Sequence, residues 1–155
     1  MKRKEVVLLA VLLLAVTALA CASSSQIYDD NANARQSIEG AIREASAAHK
    51  NIVLDFGANW CLDCHVLDEQ MHQGELGQVV KKNFVVVHIS VGRYDRNLDV
   101  AKQYGVPLHK GIPALAVLDS QGKPLYAQTK GQFENARAMS PGSFLSFFKK
   151  WEPKQ

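Results

Sequence analysis

Residues 55–65 read DFGANWCLDCH, and this stretch constrains the fold and the chemistry more than any other part of the chain. Cys61 and Cys64 stand three positions apart, shortly after an apolar run at 52–56 that is typical of a strand buried on both faces. The spacing suits a redox-active dithiol or half of a zinc site, and His65 completes the pattern of covalent haem attachment. The rest of the sequence has to distinguish these three chemistries.

The composition is that of an ordinary globular protein with one domain. The chain has 155 residues, of which 47% are hydrophobic and 21% charged, and its formal charge is +3. Three of the 18 basic residues and one of the 15 acidic residues lie in the first five positions, so the remainder is close to neutral. No cluster of Lys or Arg follows, and nucleic-acid binding therefore has no electrostatic basis in this sequence.

The N-terminus has the layout of a secretory signal peptide. Residues 1–20 combine a basic start, a long apolar run and small residues at Ala18 and Ala20. A retained membrane anchor is the alternative, because the apolar run reaches the short limit for a span. Cys21 follows in a context that resembles a bacterial lipobox, so a lipid on Cys21 would tether the protein to a membrane; ordinary cleavage is the alternative. We expect a periplasmic protein with a flexible tether at 21–33 and its domain at 34–155.

Alternating helices and strands are expected along the domain. The expected elements are a helix at 34–49, a strand at 52–56, a helix from about Cys61 to 72 that resumes after interruptions at Gly74 and Gly77, strand 84–91, helix 98–104, strand 114–118, a hairpin return at 123–128 and a final helix from Ser140 to Trp151. The segment 129–139 is polar and has no clear period. This order predicts an α/β sheet with parallel and antiparallel parts.

Asp55 is anomalous inside an apolar strand. A buried carboxylate is costly unless it has a partner, so this acid is either paired with a lysine for structure or used in function. Both interpretations stay open on the residues alone.

The element order and the motifs resemble the thioredoxin family. Trp60 precedes the dithiol, Asp55 stands where the family has a buried acid, and Ile112-Pro113 before an apolar strand matches the family's cis-proline. Residues 53–64 look closest to periplasmic thiol–disulfide interchange domains. The resemblance covers 34–151 and implies a thioredoxin fold, a central mixed sheet flanked by helices. The chain departs from thioredoxin itself between the cysteines, where Leu-Asp replaces Gly-Pro.

The resemblance implies a thiol–disulfide oxidoreductase that needs neither a cofactor nor a metal. Cys61, at a helix start, would attack a substrate disulfide as a thiolate, and Cys64 would resolve the mixed disulfide, leaving a Cys61–Cys64 disulfide. Asp55 would act as the acid–base group for the Cys64 proton. The expected partners are protein thiols and disulfides and an upstream redox partner.

Other residues around the dithiol are expected to bind substrate or to tune the redox potential. The substrate-binding set is Trp60, Ile112 and Pro113, and the tuning set is Leu62, Asp63 and His65. A carboxylate at Asp63 opposes a neighbouring thiolate, which favours a reductase over an oxidase. His65, whose charge would offset this effect, is expected to lie solvated on the helix face.

Three other functions compete with this interpretation. Haem attachment at CLDCH needs an axial ligand such as Met71, Met139, His88 or His109, and c-type domains have no need of a valine-rich strand. A zinc site lacks a second Cys pair, although His109 offers a copper carrier a third ligand. A non-catalytic binding module is the third alternative, against which both cysteines and the acid argue.

Overall fold

The computed structural model describes residues 26–154. The helices are α1 (Ala34–Ala48), α2 (Leu62–His72), α3 (Gly74–Asn83), α4 (Leu98–Gln103) and α5 (Pro141–Lys150). The strands are β1 (Asn51–Gly57), β2 (Phe84–Ser90), β3 (Ala114–Leu118) and β4 (Pro124–Ala127), and short 3₁₀ turns lie at Leu108–Lys110 and Ala136–Ala138. None of the helices within this part of the chain combines the length and the apolar composition needed to cross a bilayer.

The sheet is mixed, as the sequence predicted. Its strand order is β2-β1-β3-β4, with β1 parallel to β2 and antiparallel to β3. All seven residues of β1 are buried, which explains its continuous apolar pattern. The register of the parallel pair sets Asp55 beside His88.

Helices cover both faces of the sheet, so that β1 contributes to two cores. Alternate β1 residues point to opposite faces. Ile52 and Leu54 belong to the core that includes α1 residues, whereas Val53 packs with buried residues of α2, α3 and α5. This alternation assigns Asp55 to the face of Val53, beneath the helix that follows the dithiol.

The prediction that Gly77 interrupts a helix is wrong. α2 ends at His72, α3 begins at Gly74, and Gly77 lies inside α3. A Cβ at Gly77 would lie 2.8 Å from the backbone carbonyl carbon of His72. The glycine therefore permits the close approach of two successive helices rather than ending either of them.

The expected flexible tether needs correction in its described part, 26–33. Tyr28 is fully buried. Its backbone N–H donates to Asn59 Oδ1 at 3.0 Å, and Asn59 Nδ2 donates to the Tyr28 carbonyl at 2.7 Å. A Cβ at Gly57 would clash with the Tyr28 ring, so a glycine is needed beneath this ring. The expected signal peptide and Cys21 lie outside the described residues.

The segment 129–139 also packs against the domain, contrary to its polar appearance. Phe133 is fully buried, and its ring centroid lies 4.9 Å from that of Phe147 and 6.0 Å from that of Phe144. Single anchoring residues, rather than a periodic face, hold the segment, which is why no period revealed it.

Candidate active site

Cys61 and Cys64 are joined by a disulfide at the start of α2. Cys61 is the residue that caps the helix, and its Sγ accepts a hydrogen bond from the backbone N–H of Cys64 at 3.1 Å. Helix N-termini carry unpaired N–H groups and the positive end of the helix dipole. The same geometry stabilises a thiolate on Cys61 when the disulfide is reduced.

The two sulfurs differ in their surroundings. Cys64 is fully buried, whereas 6% of Cys61 is exposed at the surface. The sulfur that can meet another protein is therefore that of Cys61.

The peptide bond between Ile112 and Pro113 is cis, which confirms the prediction for this pair. The carbonyl oxygen of Ile112 lies 3.5 Å from Cys61 Sγ. Two segments separated by about 50 positions in sequence thus meet at the dithiol, and the Ile112 backbone lies beside the sulfur at which a substrate would react.

Trp60 and Leu62 flank the dithiol on the surface. Trp60 is 47% exposed and Leu62 is 62% exposed. The indole Nε1 of Trp60 donates to the carbonyl of Gly92 at 2.8 Å, and its ring lies 6.1 Å from that of Tyr94. These contacts fix the indole next to the dithiol while leaving an apolar surface open to a partner.

An open groove of about 920 Å³ runs beside the cis-proline loop. Its wall combines apolar side chains with basic ones: Leu98, Val106, Pro107, Leu108, Lys102, His109 and Lys110. Gly111 also lines it, so the groove reaches the residue that precedes Ile112.

Asp55 is fully buried and accepts two hydrogen bonds on one oxygen. The Tyr28 hydroxyl lies 2.7 Å from Asp55 Oδ2, and His88 Nδ1 lies 2.9 Å from the same atom. Asp55 Oδ1 is buried and has no hydrogen-bond partner within the described chain. The structural alternative of a lysine partner is therefore wrong, because a tyrosine and a histidine occupy that role.

His88 extends this cluster toward the surface. Its Nε2 lies 3.6 Å from Asp68 Oδ1, and both side chains are 24% exposed. Burial alone would lower the pKa of His88, but the hydrogen bond and negative charge of Asp55, together with the charge of Asp68, raise it above its ordinary value. Burial, the charge of Asp55 and their hydrogen bond raise the pKa of Tyr28 well above its usual range.

Asp63 is paired with Arg137, so its carboxylate is not the unpaired negative charge beside the sulfurs that the sequence suggested. Its Oδ1 accepts hydrogen bonds from the backbone N–H of Arg137 at 2.9 Å and from Nε at 3.2 Å, and its Oδ2 lies 3.2 Å from Nη2. Burial would raise the pKa of Asp63, but these contacts outweigh it and lower the pKa. Arg137 was missed because it lies 74 positions away, in the segment without a period.

His65 is also placed differently from the expectation of a solvated side chain. It is partly buried, and its Nε2 lies 2.7 Å from the carbonyl oxygen of Asn59. The ring therefore braces the turn that carries Trp60 and Cys61.

The haem and metal alternatives find no support in this arrangement. The sulfurs of Cys61 and Cys64 are bonded to each other, Met71 is only 2% exposed in the core, and His88 is bonded to Asp55. Within residues 26–154, no group of three or more His, Cys, Asp or Glu side chains is arranged to hold a metal ion.

A family model described as thioredoxin-like matches residues 33–120. The crystal structure of a disulphide isomerase from Xylella fastidiosa is 39% identical; the match covers 83% of this chain and 98% of that one, with a TM-score of 0.78. The family model spans every candidate site residue from Asp55 to Pro113, and the match to the Xylella fastidiosa structure spans most of the domain.

Two curated proteins match more locally. The thioredoxin-like protein HCF164, chloroplastic, of Arabidopsis thaliana is 33% identical over 79 residues, which are 51% of this chain and 28% of that protein. The thiol:disulfide interchange protein DsbD of Vibrio cholerae is 25% identical over 89 residues, 57% of this chain and 14% of that protein. The chain thus matches less than a third of the length of each of these relatives.

Proposed function

This chain belongs to the thioredoxin-like family of thiol–disulfide oxidoreductases, and on that premise we propose that it reduces disulfide bonds of proteins outside the cytoplasm. The observation that carries the proposal is the position of Cys61 Sγ. This atom lies at a helix start, within hydrogen-bond distance of the Cys64 N–H and beside the Ile112 carbonyl. The Cys61 thiolate and the Ile112 backbone, on which a substrate chain would dock, therefore lie side by side.

Cys61 begins the proposed reaction. Its thiolate attacks one sulfur of a substrate disulfide, a bond forms between the two proteins, and the other substrate sulfur leaves as a thiolate. Trp60, Ile112 and Pro113 border the reacting sulfur and would hold the substrate chain. The backbone carbonyl of Ile112, which lies beside Cys61 Sγ, would accept a hydrogen bond from an extended substrate.

Cys64 completes the reaction. Its sulfur attacks Cys61 Sγ, the mixed disulfide breaks, and the second substrate sulfur leaves as a thiolate, so that the substrate is reduced and the dithiol is oxidised. Because Cys64 is fully buried, its proton needs a local acceptor. Asp55 fills this role in our proposal, since it is buried and one of its oxygens has no partner within the described chain.

The reducing direction is supported by the modest stabilisation of the Cys61 thiolate. The hydrogen bond to Cys61 Sγ within the described chain comes from the Cys64 amide, and the nearby His65 is engaged with Asn59. Strongly oxidising dithiols are those whose reduced form is exceptionally stabilised. A Cys61 thiolate that is stabilised only by one amide and a helix terminus corresponds to a couple that is more reducing than those strongly oxidising dithiols.

The N-terminal sequence supports a location outside the cytoplasm. A signal peptide at 1–20 would export the chain to a periplasm, and a lipid on Cys21 would hold it at a membrane surface. An upstream dithiol partner would return electrons to the oxidised site. Cell fractionation tests this: the protein is expected in the membrane fraction and, after Cys21→Ser, in the soluble periplasmic fraction, whereas a cytoplasmic protein would contradict the proposal.

Insulin reduction with a small-molecule thiol as electron source tests the activity. The unaltered protein should accelerate insulin precipitation, and Cys61→Ser should abolish the acceleration. Cys21→Ser is the matched control, because it removes a cysteine without touching the dithiol, and it should act like the unaltered protein. Equal rates for the Cys61→Ser variant and the unaltered protein would remove the oxidoreductase proposal.

Disulfide isomerisation is a second candidate, because the similar Xylella fastidiosa protein is described as a disulphide isomerase. An isomerase needs the attack of Cys61 but can release the substrate without Cys64. Reactivation of scrambled ribonuclease distinguishes the two functions. Activity retained in a Cys64→Ser variant would favour isomerisation, and activity lost with it would favour reduction.

A further inference from the structure

Three titratable side chains form a row from the interior to the surface. Asp55 is fully buried, His88 lies 2.9 Å from it, and Asp68 lies 3.6 Å beyond the far nitrogen of His88. The outer two side chains are each 24% exposed. The row thus connects a buried carboxylate to solvent. His88 contacts Asp55 through Nδ1 and Asp68 through Nε2.

The surroundings of His88 contain few other charges. β1 contributes Asp55 and α2 contributes Asp68, while Tyr28 places its ring edge-on at 5.5 Å and donates its hydroxyl to Asp55. α1 and α3 also pack against β2, but neither contributes a hydrogen bond or ion pair to His88 within residues 26–154. His72 contacts Asp68 from the solvent side with a side chain that is 70% exposed.

We propose that His88 is a positioning residue for the redox reaction, releasing a proton to solvent through Asp68 each time Asp55 takes the proton of Cys64. This inference rests on the proposed function and deepens it. A carboxylate that gains and loses a proton in a closed interior needs such an exchange, because an uncompensated buried charge is costly.

Protons and electrons balance in the resolving step. The Cys64 sulfur bonds to Cys61 Sγ, the bond from Cys61 to the substrate sulfur breaks, and the substrate leaves with the electron pair as a thiolate. The Cys64 proton passes to Asp55, and the His88 imidazolium, having lost its anionic partner, releases the Nε2 proton toward Asp68 and solvent. The Asp55–His88 pair is neutral before and after.

The return half of the cycle reverses the transfer. An upstream dithiol reduces the Cys61–Cys64 disulfide, and the released Cys64 thiolate takes the proton back from Asp55. His88 then takes up a proton from solvent and again pairs with the Asp55 anion. The buried region therefore carries the same net charge throughout turnover.

His88→Asn separates this role from a merely structural one. The Asn amide nitrogen falls near the position of Nδ1 and can still donate to Asp55, but it cannot exchange a proton at neutral pH. His49→Asn is the matched control: His49 ends α1 in the left-handed conformation at φ 55°, which asparagine tolerates, and within residues 26–154 it makes no hydrogen bond or ion pair with Asp55, His88 or Asp68.

The experiment follows the reduced, full-length protein after mixing with oxidised glutathione over about pH 5 to 9. Acid quenching, alkylation and mass spectrometry separate the Cys61–glutathione mixed disulfide from the intramolecular disulfide. In His88→Asn we expect mixed-disulfide formation at the normal rate but a resolving step roughly tenfold slower near neutral pH. The deficit should vanish at alkaline pH, where Cys64 ionises without help, and His49→Asn should match the unaltered protein.

A folded His88→Asn variant that resolves the mixed disulfide with the unaltered rate and pH profile would overturn the inference. If this variant does not fold, Asp68→Asn decides, because it leaves the Asp55–His88 bond in place. Its resolving step should show a shifted pH profile, and an unchanged profile would overturn the inference. A failure of the unaltered protein to form any disulfide with glutathione would instead refute the proposed function itself.

Discussion

Asp63 lies between the two cysteines, and its influence on them depends on a residue far away in sequence. The Arg137 backbone and guanidinium both bond to its carboxylate. The Arg137 side chain remains 58% exposed, so solvent screens part of this attraction. The charge that the sulfurs experience is therefore that of a partly neutralised pair.

Arg137→Ala should make the redox potential more negative. Removing the guanidinium leaves the Asp63 charge opposing the reduced, thiolate-containing form, and we expect a shift of about 10–30 mV. Equilibration with glutathione measures it. Arg137→Lys keeps a cation and should shift the potential less, while a shift of Arg137→Ala toward positive values would contradict the role given to the pair.

Asp55→Asn should slow the resolving step while sparing the first attack. The amide cannot accept the Cys64 proton, and loss of such a base costs at least about tenfold. The rate of Cys61 alkylation by iodoacetamide should stay unchanged. Asp119→Asn alters an acid in the turn at the opposite end of β3 from Pro113 and serves as control; normal resolution in Asp55→Asn would remove Asp55 from the mechanism.

The sequence predicted those site residues that belong to local motifs. Cys61, Cys64 and Trp60 occupy consecutive or nearly consecutive positions, and the cis bond before Pro113 came from the family pattern. The sequence did not predict the partners of Asp55 and Asp63, because His88 lies 33 positions from Asp55 and Arg137 lies 74 positions from Asp63. Only the parallel register of two strands and the packing of an irregular segment bring these pairs together.

The segment before α1 is a second element whose importance was underestimated. Tyr28 closes over Gly57 at the end of β1 and bonds to both Asn59 and Asp55. Polar residues around Tyr28 hid this anchor, since one buried aromatic gives no periodic signal. The regular helices and strands, by contrast, were visible in periodicity because each buries a whole face or stripe.

Gly57→Ala should destabilise the domain by about 1–3 kcal/mol, because the new methyl group would enter the Tyr28 ring. Thermal or denaturant unfolding measures the loss. Gly40→Ala is the matched control within α1, where the nearest atom is a flexible Arg43 terminus at 3.8 Å. It should be neutral or stabilising by about 0.5–1 kcal/mol, since alanine favours a helix interior. Equal stability of both variants would contradict the packing of the N-terminal segment.

The stability of the whole domain should depend on pH through these same groups. Folding raises the pKa of His88. Its contribution to the stability of the folded state is therefore complete below the unfolded pKa of about 6.5 and is lost as pH rises through the folded pKa. Folding lowers the pKa of Asp63. Its contribution to the stability of the folded state is therefore present above the unfolded pKa of about 3.9 and is lost as pH falls through the folded pKa.

The melting temperature of the oxidised protein should therefore be highest in mildly acidic solution and should fall as the pH rises past neutrality. His88→Asn removes the titrating group and should flatten this fall. Calorimetry across the pH range checks it, with His49→Asn as control. An identical neutral-to-alkaline slope in His88→Asn would assign the pH dependence to other groups.

The fold leaves 6% of Cys61 exposed and buries Cys64 and Asp55 completely. The central claim is that this arrangement makes a reducing dithiol. Equilibration of the Cys61–Cys64 couple with glutathione buffers measures its potential directly. We predict a value near the reducing end of the family range, about −270 mV, and a value near the strong-oxidant limit of about −120 mV would contradict the claim.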